Sequence, residues 1–364
     1  MIEQTTSGRF RAIVQFKGQR RTSKSVATRD VARMLEAQLL VEMGGTPDRS
    51  ENSVEQLLTG YLAEARERLS PTTMAQHDRS FAILPMTFRN RRVATVTPFL
   101  IDQLYAELRR PTKGKAGAVK VGASEFRCES VHKLLSVAFG RAVKYGWCVT
   151  NPVRDVTKPK PTWREIRPPT DQEVQTLMAA AVAVNPLLPL FFRVSANTGA
   201  RRGEVVALKW VDVNDGELVI RRSIVEVGGR LTERSTKTGS KGHRPVALDA
   251  GTSAELEAHR TAQARAAIDA AMPVPVYVFS HPLGELPWRP NYVTLAFRRL
   301  AKACGIDSRL HDLRHFMATR WLVAGEAPLT VAGRLGHSTT ATTLRTYAHF
   351  VPASDKEAAG RLAI

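Results

Sequence analysis

The residues with the greatest chemical capacity lie near the end of the chain: His311-Asp312-Leu313-Arg314-His315, then Leu335-Gly336-His337, then Thr346-Tyr347. Arg314 follows His311 by three positions, so on a helix both side chains leave the same face. Together they offer a phosphate group a permanent cation and an imidazole. A phenol titrates near a pH of about 10, so Tyr347 attacks poorly unless cations offset the charge that develops on it. The arrangement fits a tyrosine nucleophile aimed at a clamped phosphodiester. A metal competes for the same residues, because His-x-x-x-His on a helix can hold zinc. Two features oppose it. Asp312 stands where zinc proteases use the longer Glu, and Arg314 sets a fixed positive charge between the imidazoles.

Upstream, residues 186–197 read as a buried helix that breaks at Thr198-Gly199, and a new helix opens near Ala200. Arg201 at that start is electrostatically out of place, because a helix N-terminus favours anions. A bound phosphate accounts for both the arginine and the free N–H groups. Glu204, one turn on, is placed to orient the guanidinium. Strands are expected at 217–227 and 231–236, across Gly228-Gly229. Lys237-Thr238-Gly239-Ser240-Lys241-Gly242-His243 then forms a turn into a strand at 244–248. A lysine on the lip of such a hairpin, Lys237, can swing towards a leaving group.

These segments need a frame. The chain has 364 residues, enough for two or three domains, and a 43% hydrophobic share supports buried cores. No apolar run approaches a membrane span. Met1-Ile2-Glu3-Gln4 lacks the charged and then apolar pattern of a leader. Three scattered cysteines, Cys128, Cys148 and Cys304, suit a reducing compartment with no metal site. A cytoplasmic location and no cofactor are expected. Net charge is +19, and Lys+Arg exceed Asp+Glu in residues 1–50, 51–160 and 161–364 alike. That spread points to several domains lining one nucleic acid rather than to a single basic tail.

In residues 8–26, Phe10, Ala12, Val14 and Phe16 alternate with charged and polar positions, and Gly18-Gln19 makes a turn. A helix capped by Thr28 and ended by Gly44-Gly45 follows. This small β-rich domain, residues 1–46, can lay strands in a DNA groove. Arg9, Arg11, Arg20, Arg21 and Lys24 are its candidate contacts. After a polar linker, helices start at a Ser53-Val54-Glu55-Gln56 capping box, at Ser70-Pro71 and at Thr97-Pro98. A long helix from about 124 to 145, stopped by Asn151-Pro152, completes a helical bundle over residues 53–150. Its basic loop at 111–122 supplies Lys113, Lys115 and Lys120 as further DNA candidates. A basic, proline-rich connector spans 151–169, and Thr170-Asp171-Gln172-Glu173 caps the start of a final domain, 170–364. Helices near 252–268 and 290–304 and a strand at 276–280 are expected there. The fold class is therefore multidomain and mainly α.

Thr198-Gly199-Ala200-Arg201-Arg202-Gly203-Glu204, Thr236-Lys237-Thr238, His311-Asp312-Leu313-Arg314-His315, Leu335-Gly336-His337 and Thr346-Tyr347-Ala348-His349 resemble the signature boxes of the tyrosine recombinases, the phage-integrase family. Any one box is weak, but five in the family's order and spacing are specific. The resemblance implies a mixed α/β, mostly helical catalytic domain joined to a helical core-site-binding domain as a C-shaped clamp around DNA. It also implies a small arm-site-binding domain at the N-terminus. It assigns Arg201 and Arg314 to the non-bridging oxygens of the scissile phosphate, with His311 and His337 completing the clamp. His311 is a candidate acceptor of the tyrosine proton. Lys237 would protonate the departing 5′ oxygen, and Tyr347 would form a 3′-phosphotyrosyl link, with no ATP or metal. The partners it implies are double-stranded attachment sites, three further copies of the chain, and an excisionase or DNA-bending factor. A plausible helix at Lys356-Glu357-Ala358-Ala359 would dock on a neighbouring subunit. Three alternatives compete: a type IB topoisomerase and a chromosome-dimer resolvase, neither of which accounts for the β-rich N-terminal domain, and a silent binding protein, which would lose some of the six residues. All six are present.

Overall fold

The computed structural model describes residues 1–45, 52–113, 119–162, 164–235, 243–281 and 284–347. The chain forms two units, residues 1–164 and 165–364.

In the first unit, the alternating N-terminal pattern becomes an antiparallel meander of β1 (Ile2–Gln4), β2 (Phe10–Phe16) and β3 (Gln19–Thr22). Lys17 and Gly18, both at positive φ, turn the chain between β2 and β3. Thr28 caps α1 (Arg29–Glu42) by accepting from the Val31 N–H. This helix packs on α2 (Val54–Ala65), where Gly60 makes room for Met34: a Cβ there would overlap the Met34 sulfur. Met34 and Ala37 thereby enter the same core as Leu57, Leu58 and Phe139. Val26, Val31 and Ala32 form a separate small cluster with Ile2 and Phe10, so α1 faces both the sheet and the helices.

Ser53 and Gln56 form the expected capping box, and Pro71 and Pro98 open α3 (Pro71–Ala82) and α5 (Pro98–Arg109), which flank the short α4 (Met86–Arg89). Where a loop was expected, β4 (Thr112–Lys113) pairs with β5 (Val119–Lys120). The long helix α6 (Glu125–Lys144) ends where expected, with Tyr145 as its cap, but what closes it is Gly146, whose φ of 68° is the left-handed conformation, rather than Asn151-Pro152. Asn151-Pro152 instead start a single turn whose Val153, with Val156, is buried among the bundle side chains. The beginning of the expected connector is thus folded into this unit.

The second unit opens with the expected Thr170–Glu173 capping box at α7 (Asp171–Val182), followed by α8 (Leu188–Thr198) and the short α9 (Arg202–Val206). The strand expected over 217–227 breaks at Arg221, and its halves serve different ladders. β6 (Val213–Asn214) and β7 (Glu217–Ile220) pair with each other, while β8 (Arg222–Val227) forms a hairpin with β9 (Arg230–Ser235). β10 (Arg244–Ala247) joins the first ladder in the order β10-β7-β6. After α10 (Ala250–Asp269), the strand expected at 276–280 makes only isolated bridges, Lys209 with Tyr277 and Ser280 with Pro287. Its partner at Lys209 leaves at once into a tight turn, so no ladder extends. Then come α11 (Pro290–Ala303), α12 (Asp312–Val323), α13 (Pro328–Leu335) and α14 (Thr340–Tyr347).

Phe191 and Phe192 of α8 pack on Phe279, Trp288 and Phe297 to centre the main core. Each fully buried aromatic of this kind contributes roughly 2–3 kcal/mol. A smaller cluster of Met317, Ala318, Leu322, Val331, Leu335 and Tyr347 ties α12, α13 and α14 together. The fold is of the multidomain, mainly α class read from the sequence. No described helix is long and apolar enough to cross a membrane. Lys237, Lys241 and the Lys356-Glu357-Ala358-Ala359 segment lie outside the described residues.

Candidate active site

The site is assembled where three helices end and two begin. Gly199 closes α8 at φ 63°, and a Cβ there would overlap the Met317 methyl group, so only glycine makes the turn. The turn delivers Arg201 as the N-cap of α9. Its Nη1 donates to Glu204 Oε1 at 2.9 Å, and its backbone N–H donates to Oε2 at 2.9 Å. Glu204 thus holds both the backbone N–H and one guanidinium nitrogen of Arg201. Glu204 is 2% exposed. Burial pushes its pKa up, but the charge and hydrogen bond of Arg244, and then Arg201, outweigh this and hold it below the usual carboxylate value.

Arg314 is buried on α12 and bridges two helix ends. Its Nη1 donates to the Gly199 carbonyl at 2.6 Å and its Nη2 to the Leu335 carbonyl at 2.8 Å. Such C-terminal carbonyls lack partners within their own helix and lie at the negative end of the dipole, which suits a buried cation. Burial and the Arg201 charge lower its pKa to about 9, so it stays charged at neutral pH. Gly336, at φ 66°, closes α13 and sets His337 beside Thr343, with Nδ1 2.7 Å from Oγ1. Burial, followed by Arg314 and Arg201, lowers His337 to about 4. His311 presents surface to solvent at the start of α12, yet the protein around it, with His315 and Arg314, lowers it to about 4 as well. Both imidazoles are neutral near pH 7, and an arriving phosphate would draw protons to them.

Tyr347 ends α14 and is 1% exposed. Burial raises its pKa to about 12 against the lowering effect of Arg314. Its hydroxyl lies 2.7 Å from His315 Nδ1, and the His315 ring stands 5.1 Å from that of His311. With the ring proton on Nε2, His315 accepts from the phenol. In this structure it is His315, not His311, that meets the hydroxyl. The sequence did carry a signal for it, since His315 follows His311 by one helical turn. Arg244 was also missed, and nothing in its strand distinguishes it from the chain's other arginines. Its Nη2 donates to Glu204 Oε2 at 2.8 Å.

The structure thus brings Arg201, Glu204, His311, Arg314, His337 and Tyr347 into one electrostatic neighbourhood. Among the described residues, no group of three or more His, Cys, Asp or Glu is arranged to hold a metal ion. The basic residues of the first unit are dispersed. The pleat sets Arg9, Arg11 and, opposite Gln15, Arg20 on one side, with Arg11 paired to Glu3 at 2.8 Å. Arg21 falls on the other side, 3.8 Å from Glu42 of α1, while Lys24 is exposed. Lys113 and Lys120 belong to β4 and β5, and Lys115 lies outside the described residues.

Residues 170–353 match the phage integrase family. The integrase of the ICEBs1 element of Bacillus subtilis is 24% identical across 99% of this chain and 98% of its own length. The Tn1549 transposon integrase, solved with a circular intermediate DNA, superposes with a TM-score of 0.70 at 18% identity, over 85% of this chain and 99% of that one. A lambda integrase tetramer bound to a Holliday junction gives 0.62 at 18% identity, over 97% and 96%. With its boxes in order and its fold matched, the chain belongs to the phage integrase family: it is a tyrosine recombinase, a site-specific enzyme that breaks and rejoins DNA strands.

Proposed function

We propose that Tyr347 is the nucleophile and that this recombinase integrates or excises a mobile element. The observation that carries the assignment is the Tyr347 hydroxyl at 2.7 Å from His315, in the same site as Arg201 and Arg314. The phenol oxygen attacks the scissile phosphorus as its proton passes to His315. The bond from phosphorus to the 5′ oxygen breaks, and that oxygen takes a proton from Lys237. A 3′-phosphotyrosyl link remains, which conserves the bond for rejoining. Arg201 and Arg314, joined by His311 and His337, neutralise the equatorial oxygens, which is where phosphoryl transfer gains most from fixed charge. Glu204 keeps Arg201 aimed.

The mobile-element names of the relatives favour integration or excision over chromosome-dimer resolution. Arg9, Arg11, Arg20, Arg21, Lys24, Lys113, Lys115 and Lys120 then contact the backbone of the attachment sites. Four copies assemble on two sites, assisted by an excisionase or a DNA-bending factor, in the cytoplasm. The test is a nicked suicide duplex drawn from the DNA that flanks the coding sequence. Wild type should trap a covalent adduct in excess EDTA. Relaxation of supercoils by monomers that never exchange strands between two sites, or loss of the adduct with EDTA, would overturn the proposal.

A further inference from the structure

Arg244 has no part in the roles above, yet this strand residue is 7% exposed and reaches two catalytic segments at once. Its Nη2 donates to Glu204 Oε2 at 2.8 Å, the oxygen that also accepts the Arg201 N–H. Its Nε donates to the Arg334 carbonyl at 2.7 Å, next to the Leu335 carbonyl that holds Arg314. Gly336 lets the chain pass close over it: a Cβ there would lie 2.7 Å from Arg244 Nη1 and 3.0 Å from Cζ. The guanidinium is therefore fixed from both sides. We propose that Arg244 is a positioning residue for the cleavage reaction, acting through Glu204 to hold Arg201 on the scissile phosphate. This rests on the role of Arg201 given above.

The charges that act on Glu204 are Arg201 at the start of its own helix, Arg244 from β10 and Arg314 from α12. Among the described residues, the other elements packed on α9 add none at the carboxylate. β8 brings Ser223 and the Ile224 carbonyl to Gly203, while its Glu226 acts on Arg202. Thr294 of α11 accepts from Arg202, and Arg193 of α8 is paired with Glu255. Without Arg244, the buried carboxyl protonates more readily, and a neutral acid loses its charge-assisted bond to Arg201.

The experiment follows adduct formation by the full chain on the nicked duplex, from acid to neutral pH. Arg244→Ala should slow it by roughly 10- to 100-fold, the size usual when a group that orients a contacting residue is lost. The loss should deepen at acid pH, beyond the decline that protonation of His315 gives wild type and variant alike. Arg244→Lys, which keeps the charge, should restore the wild-type profile in part. Adding Arg244→Ala to Glu204→Gln should cost little more than Glu204→Gln alone. Should Arg244→Ala not fold, Arg244→Gln carries the same comparison. A second measurement needs no DNA: the Glu204 carboxyl carbon, assigned in NMR spectra through Glu204→Gln, should titrate higher without Arg244. An unchanged titration, or a defect that adds in full to Glu204→Gln, overturns the proposal. Absence of a wild-type adduct would defeat the nucleophile assignment and leave this titration standing.

Discussion

His315 Nδ1 and the Tyr347 hydroxyl lie 2.7 Å apart inside the small core formed by α12, α13 and α14. The tyrosine is thus stored against the group best placed to take its proton, and burial keeps the phenol protonated until DNA arrives. His315→Gln should slow single-turnover adduct formation on the order of 10²–10⁴-fold, the usual contribution of a general base. His311→Gln should be milder. The reverse ranking would return the proton-accepting role to His311.

Tyr347→Phe removes one buried hydrogen bond, which costs about 1 kcal/mol, so the variant should fold and bind DNA. It should form no adduct. An adduct that persists, and maps by peptide mass to another residue such as Tyr292, would show that the nucleophile lies elsewhere.

Lys237 can be tested through the leaving group. Replacing the bridging 5′ oxygen with sulfur gives a thiolate that departs without a proton. Lys237→Ala should cleave that substrate nearly as fast as wild type, and remain slow on ordinary DNA. Arg201→Ala and Arg314→Ala should be slow on both, because their charge serves the non-bridging oxygens. If sulfur does not rescue Lys237→Ala, the acid is another group, with Lys241 or His311 next in line.

Stability should fall with acid in a defined window. Burial lowers His311 and His337 to about 4 and lowers His315 as well. The unfolded chain therefore binds protons that the folded one does not once pH drops below the ordinary histidine value of about 6.5. Unfolding should become easier from there down to about 4, the value of the two lowest sites. Thermal melts of His337→Asn should show a shallower decline. DNA should reverse the trend by favouring the protonated rings.

Removing residues 1–46 should destabilise the first unit, because Met34 and Ala37 belong to the bundle core. Losing Met34 alone withdraws roughly 1.5–3 kcal/mol of burial. Chemical denaturation should report the loss. Footprinting should show a distal class of DNA site released while the crossover site is still protected. Protection of both classes by the truncated chain would remove the arm-binding role from the β-rich segment.

The sequence by itself determined the candidate site residues and the starts of many helices. Capping boxes at Ser53 and Thr170 and prolines at 71 and 98 mark helix starts by local hydrogen bonding and backbone restriction, which short stretches encode. Motif order was likewise enough to single out Arg201, Arg314 and Tyr347. What only the tertiary structure decided was depth and partnership. Residues 276–280 have a strand's composition, but a ladder needs a partner that runs alongside, and Lys209 turns away. Arg244 looks like any surface arginine until α13 and α9 close over it. His315 reaches Tyr347 only because α14 folds back on α12 across thirty-two positions of chain, a contact that no local spacing specifies.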